Sequence, residues 1–106
     1  MPPNQALVPK IGVSKLTDEQ LRLLKCVADE TRFQILLTLK KSERCVCEIM
    51  DELDKEQSLI SHHLQALRKC GLIHRRREGK KIMYRISDPS ILKFLADIKE
   101  LSKRLC

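Results

Sequence analysis

The chain has 106 residues, with 21 Lys and Arg against 14 Asp and Glu for a formal net charge of +7, and with two Phe, one Tyr and no Trp. That length allows one domain with a modest core, and the basic excess favours a polyanionic partner. The scarcity of aromatics argues against a stacking platform for single-stranded nucleic acid, and no run of about 18 apolar residues is present to cross a membrane.

The N-terminus lacks the charged-then-apolar layout of a signal peptide, so a cytoplasmic protein is expected. In that compartment the five cysteines stay reduced and are candidates for ligands or redox sensors.

Residues 1–15 hold Pro2, Pro3 and Pro9 and no hydrophobic period. They read as a flexible N-terminal arm, leaving 16–106 as a single domain. Thr17-Asp18-Glu19-Gln20 has the form of a capping box. Leu21, Leu24 and Val27 or Ala28 follow as an apolar stripe, which predicts a first helix over about 17–28. Asp29 is the N-cap of a second helix, with Arg32 available to face it. Phe33, Ile35, Leu36, Leu37 and Leu39 make that helix central to the core. Lys40 and Lys41 sit where a helix C-terminus favours cations.

Arg44 to Leu53 predicts a short third helix with Val46, Ile49, Met50 and Leu53 buried. Asp54-Lys55-Glu56 is a polar turn. From Gln57 the chain reads as an amphipathic helix. Ile60, Leu64 and Leu67 mark its buried stripe, and Gly71 stops it. Its outer side carries Ser58, Ser61, His62, Gln65 and Lys69. These are mostly short hydrogen-bonding groups, suited to base edges and phosphates in a major groove. Two short helices joined by a tight turn, the second with such a face, suggest a helix-turn-helix.

Strands over Ile73–Arg77 and Lys81–Ile86 flank the turn Glu78-Gly79-Lys80. Arg75, Arg76, Arg77, Lys80, Lys81 and Arg85 make this hairpin strongly basic. Beside a helix-turn-helix, such a tongue reads as a wing on the DNA backbone or minor groove. Tyr84 either packs beneath it or reaches a phosphate. Asp88 and Pro89 open a last helix, whose Ile91, Leu92, Leu95, Ile98, Leu101 and Leu105 exceed what one small core needs. The surplus implies a partner helix and hence a dimer. The predicted fold is mainly α with a small β-hairpin, a winged helix-turn-helix in the order α-α-α-α-β-β-α. There is no C-x-x-C, no phosphate loop and no paired carboxylate beside a nucleophile, which speaks against an enzyme.

Four stretches together resemble the ArsR/SmtB family of metal- and stress-responsive winged-helix repressors. They are Ala28-Asp29-Glu30-Thr31-Arg32-Phe33-Gln34-Ile35-Leu36, then Cys45-Val46-Cys47-Glu48-Ile49. The third is Ser58-x-x-Ser61-x-His63-Leu64-x-x-Leu67-x-x-x-Gly71-Leu72, and the fourth is the wing from Arg76 to Arg85. The resemblance covers about residues 17–105. It implies a homodimer built through the first and last helices, bound to a pseudo-palindromic double-stranded operator and released by an inducer. Matching positions put Gln57, Ser58, Ser61, His62 and Gln65 at the DNA face. His62 stands where many members carry a base-reading residue, and His63 matches the motif histidine, for phosphate contact or local packing. The candidate DNA-binding set is completed by Arg68, Arg75, Arg76, Arg77, Lys80, Lys81 and Tyr84.

Cys45-Val46-Cys47 is similar to the C-V-C core of arsenic- and cadmium/lead-sensing members. Thiolates suit soft ions such as As(III), Sb(III), Cd(II) or Pb(II). Residues two apart on a regular helix point about 200° from one another. Both sulfurs therefore reach one ion only if Cys45 precedes the helix or the first turn unwinds. Arsenic sensors of this type often have a third cysteine where this chain has Met50. The third ligand is then Met50, solvent or another cysteine, and no permanent cofactor is implied. Residues 88–106 hold no histidine, which excludes the histidine–carboxylate site of the zinc and nickel or cobalt type. Thiol oxidation is the alternative signal, with Cys26, Cys70 and Cys106 as further redox candidates.

Overall fold

The computed structural model describes the backbone from Lys10 to Cys106 and side chains from Lys15 onward. Five helices and a small antiparallel sheet follow in the order α1 (Lys10–Val27), α2 (Glu30–Lys41), β1 (Arg44–Cys45), α3 (Val46–Leu53), α4 (Gln57–Lys69), β2 (Ile73–Glu78), β3 (Lys81–Ile86) and α5 (Pro89–Leu105). The sheet order is β1-β3-β2. This is a winged helix-turn-helix, as expected, with a third strand where the sequence predicts the start of a helix.

Two element boundaries are corrected. α1 begins at Lys10, so Thr17 lies inside a helix and is not its N-cap. The expected arm over 1–15 gives way to helix at Lys10, and residues 1–9 lie outside the described ones. No proline occurs between Pro9 and Pro89, and the one glycine within α1, Gly12, costs a helix only about 1 kcal/mol relative to alanine. The second correction is Arg44–Cys45, which pairs antiparallel with β3 in the register Arg44↔Tyr84 and Cys45↔Met83. A two-residue strand has no period of its own, and its pairing partner lies far along the chain.

The core is built where the apolar periods predicted it. Ile35, Leu36, Ile49, Ile60, Leu64, Leu67, Ile73 and Leu95 are all but sealed from solvent. Truncating such a side chain to alanine costs about 2–5 kcal/mol, because a cavity is left behind. Leu37, expected inside, is partly exposed, and Leu21 and Leu24 of α1 are exposed as well. α1 reaches the core instead through Cys26 and Val27 at its C-terminal end. Leu16, Leu21, Leu23 and Leu24 on α1 and Leu92, Ile98, Leu101 and Leu105 on α5 thus leave apolar surface uncovered.

Local chemistry sets the helix ends. The Asp29 carboxylate accepts the Arg32 N–H at 3.0 Å, and the Asp88 carboxylate accepts that of Ser90 at 2.8 Å, each satisfying a donor the helix cannot. At the end of α4, Gly71 takes φ +78°. Its N–H bonds to Arg68 O at 2.9 Å, and the Leu72 N–H bonds to Leu67 O at 3.0 Å. This pair of bonds is the Schellman arrangement, which needs a left-handed residue at that position. It also turns the chain so that Leu72 and Ile73 enter the core.

A candidate nucleic-acid interface and its supports

α3 and α4 form the helix-turn-helix. α3 closes on Asp54, whose φ is +52° and whose N–H bonds back to Met50 O; aspartate tolerates this left-handed conformation better than most side chains. The turn delivers α4 with Ile60, His63, Leu64 and Leu67 inward and Gln57, Ser58, Ser61, His62 and Gln65 exposed. The Ser58 hydroxyl donates to the Glu56 carboxylate at 2.9 Å.

The wing folds back against this helix. Ser61, Gln65 and Arg68 of α4, Arg75 of β2 and Tyr84 of β3 line one polar cavity of about 360 Å³. Residues that the sequence offered on two separate elements are therefore gathered in one place. The strand register explains it: Arg75 lies opposite Tyr84, and side chains directly opposite on a sheet share a face. Tyr84 is buried there, so it packs beneath the wing. At the wing tip Gly79 takes φ +63° in a two-residue loop between Glu78 and Lys81, where a hairpin turn favours a left-handed first position. Arg77, Lys80 and Lys81 are exposed around it.

Two members of the candidate set are committed within the protein. Arg76 forks onto Glu43, Nε to Oε2 at 3.1 Å and Nη2 to Oε1 at 2.7 Å, and Nη2 also reaches Glu78 at 3.1 Å. These contacts hold the Glu43 carboxyl below its ordinary range. The arrangement ties the wing to the loop between α2 and β1 and engages Arg76 Nε and Nη2 with carboxylates. His63 is buried, unlike its neighbour His62, and its Nδ1 accepts from Arg32 Nε at 3.0 Å. Asp29 Oδ2 lies 3.8 Å from the same nitrogen. Burial pushes the His63 pKa below the ordinary histidine value, against the opposing pull of Asp29. The Asp29 carboxyl is itself lowered, chiefly by the Arg32 backbone N–H. Asp29, Arg32 and His63 thus clamp α2 to α4 and set the rotation of the recognition helix. Arg32 to His63 spans 31 positions, and nothing in the local pattern of either residue announces the other.

The cysteines divide by position. All five are free thiols. Cys45 is the N-cap of α3, in extended conformation at φ −84°, ψ 169°, and Cys47 follows in the first helical turn. Cys45 therefore precedes the helix, which meets the geometric condition set by the C-x-C spacing. Its N–H is held by Glu48 Oε1 at 3.0 Å. Cys45 is buried and Cys47 exposed. Met50 packs against the core. No group of three or more His, Cys, Asp or Glu side chains is arranged to hold a metal ion among the described residues. Cys106 is exposed at the end of α5, and Cys26 and Cys70 lie elsewhere, at the ends of α1 and α4.

The fold and this face together define a winged helix-turn-helix regulator. Comparison with known proteins narrows the class. Residues 29–75 match the family model described as bacterial regulatory protein, arsR family. An uncharacterized HTH-type transcriptional regulator of Methanocaldococcus jannaschii is 38% identical over 85 residues, covering 79% of this chain and 96% of the relative. The arsenical resistance operon repressor of Escherichia coli is 46% identical over 68 residues, 63% of this chain and 58% of that longer protein. Among solved structures, the homodimeric winged helix-turn-helix DNA-binding domain of a possible ArsR-family regulator from Mycobacterium bovis superposes with a TM-score of 0.78 at 29% identity, covering 97% of this chain and 88% of that one. The chain belongs to the ArsR family of DNA-binding transcriptional regulators, which are not enzymes.

Proposed function

We propose that this protein is a cytoplasmic, homodimeric repressor that leaves a pseudo-palindromic operator when As(III), Sb(III) or another soft ion binds the thiolates of Cys45 and Cys47. The observation that carries the reading is the place of Cys45. It stands at the junction of β1 and α3, ahead of the first helical turn, in a strand hydrogen-bonded to the wing. A sulfur there is free of the helical spacing that would turn it away from Cys47.

Coupling to DNA follows from the same place. Cys45 is buried and Cys47 exposed, so one ion can bridge them only if Cys45 is drawn outward. That motion pulls on β1, whose partners on β3 are Met83 and Tyr84, and Tyr84 floors the polar cavity between α4 and the wing. The ion then binds the wing-displaced form more tightly than the DNA-bound form, which is the condition for induction. As(III) takes its third ligand from solvent, a small thiol or a reoriented Met50. The dimer forms through α1 and α5, whose exposed leucines need cover, as the fold of the homodimeric relative supports.

The double substitution Cys45→Ser, Cys47→Ser tests the sensor. Operator binding should persist while arsenite no longer releases the DNA. An intact fold with normal arsenite release would place the sensor elsewhere.

A further inference from the structure

We propose that Cys26 and Cys70 form a second thiol site, separate from Cys45 and Cys47, that a small anionic disulfide oxidises to an intrachain bond between the ends of α1 and α4. The two cysteines are 44 positions apart in the sequence and meet through one backbone oxygen. The Cys26 thiol donates to Ala66 O at 3.7 Å, and the same oxygen accepts the Cys70 N–H at 3.1 Å. Cys26 is therefore seated on the last turn of α4, the turn that Cys70 caps. Both side chains line one cavity of about 390 Å³, together with Leu21, the cations Arg22, Lys25 and Arg32 and one carboxylate, Asp18.

The surroundings assign the order of events. Cys26 is 3% exposed, and burial together with the neighbouring Cys70 thiol pushes its pKa up to about 11. It is a protonated thiol at neutral pH and does not attack first. Cys70 is half-buried and meets solvent. The excess of charge at the cavity, three cations against the Asp18 carboxylate, favours an anionic low-molecular-weight disulfide such as oxidised glutathione. The Cys70 thiolate attacks one sulfur of that disulfide, and the other leaves as a thiol after taking a proton. Burial, the largest cause of the raised Cys26 pKa, persists when Cys70 is capped, while the Arg32 charge favours the thiolate. The small fraction of Cys26 that has given its proton to solvent attacks the Cys70 sulfur and expels the second small molecule, which takes up a proton and leaves as a thiol. The balance is two cysteine thiols and one disulfide going to one intrachain disulfide and two small thiols.

α1 carries uncovered leucines and α4 the exposed polar face, so this bond would join the two surfaces through which the protein meets its partners. The site stands apart from the soft-ion reading, because its test needs neither DNA nor an ion.

The reduced full-length chain is equilibrated with oxidised glutathione, blocked with iodoacetamide, digested with trypsin and mapped by mass spectrometry. Cleavage after Lys25, Arg32, Lys69 and Arg75 isolates each cysteine in its own peptide, Cys26–Arg32 and Cys70–Arg75. The expected product is these two peptides joined, from material running as a single chain on a non-reducing gel, and separated by dithiothreitol. In Cys70→Ser and in Cys26→Ala, each checked for helix content by circular dichroism, the joined peptide is absent and the remaining cysteine is recovered singly. Recovery of Cys70 as a glutathione adduct with Cys26 alkylated, or of both alkylated where Cys47 and Cys106 are oxidised, would overturn the proposal.

Discussion

The wing offers several cations, and the structure ranks them. Lys80 and Lys81 are exposed at the tip and enter no salt bridge among the described residues, whereas Arg76 is shared between Glu43 and Glu78. A lysine that neutralises a phosphate releases condensed counterions, and each such contact contributes about 0.9 to the slope of log affinity against log salt on duplex DNA. Replacing both lysines with alanine should therefore flatten the slope by about 1.8 per protomer, or about 3.6 for a dimer with both wings engaged. The loss should be similar on operator and on unrelated duplex, since phosphate contacts carry no sequence information. Arg76→Ala should change the slope little, because Glu43 already balances that charge. Fluorescence anisotropy at four or five salt concentrations between about 50 and 200 mM reads both variants, in the range where such slopes are steep. An unchanged slope for the double lysine variant, or an Arg76→Ala effect as large as a lysine's, would refute this account of the wing.

Other perturbations separate the roles of the recognition helix. If the exposed His62 contacts base edges, as proposed for this face, His62→Ala should lower operator affinity more than affinity for unrelated DNA; equal losses on both DNAs would remove it from that role. His63 is held neutral by burial, with Arg32 donating to its Nδ1 and Asp29 and His62 as its other charged or titratable neighbours. Its pKa in the folded chain lies below that in the unfolded chain, so as pH falls through about 6.5 the unfolded state takes up the proton first and stability declines. Urea midpoints at pH 8 and 5.5 should show that decline, and His63→Gln should reduce it; a variant that loses stability just as steeply would contradict the assignment. Asp29→Ala removes the α2 cap and one side of the clamp, and should cost about 1 kcal/mol or somewhat more in urea unfolding. A change within error would mean that the cap and clamp contribute nothing measurable.

Much of the fold was legible because its signals are local. Asp29, Asp88 with Pro89, and Gly71 punctuate the helices by short-range hydrogen bonding and φ preference, and the stripe Ile60, Leu64, Leu67 fixes which side of α4 turns inward. The exposed Ser58, Ser61, His62 and Gln65 follow from that stripe by elimination, and Gln57 from the family resemblance. What escaped is long-range or lacks a period. β1 is two residues long and exists only because β3 lies beside it. The Glu43–Arg76 fork joins positions 33 apart, and Arg32–His63 and Cys26–Ala66 are likewise tertiary contacts. Such pairs give candidate residues partners within the protein: His63 accepts from Arg32, and Arg76 forks onto Glu43. Thr17 shows the opposite failure. Its capping-box pattern with Gln20 is present, yet the helix runs through it, since a cap motif does not end a helix that can already extend upstream.

The most direct test of the soft-ion reading is an anisotropy titration of the reduced chain, bound to DNA from its own promoter, with arsenite and separately with a disulfide oxidant. Release at near-stoichiometric arsenite, abolished in Cys45→Ser, Cys47→Ser, is the predicted result. Release by the oxidant alone, or arsenite release that survives the double substitution, would contradict it.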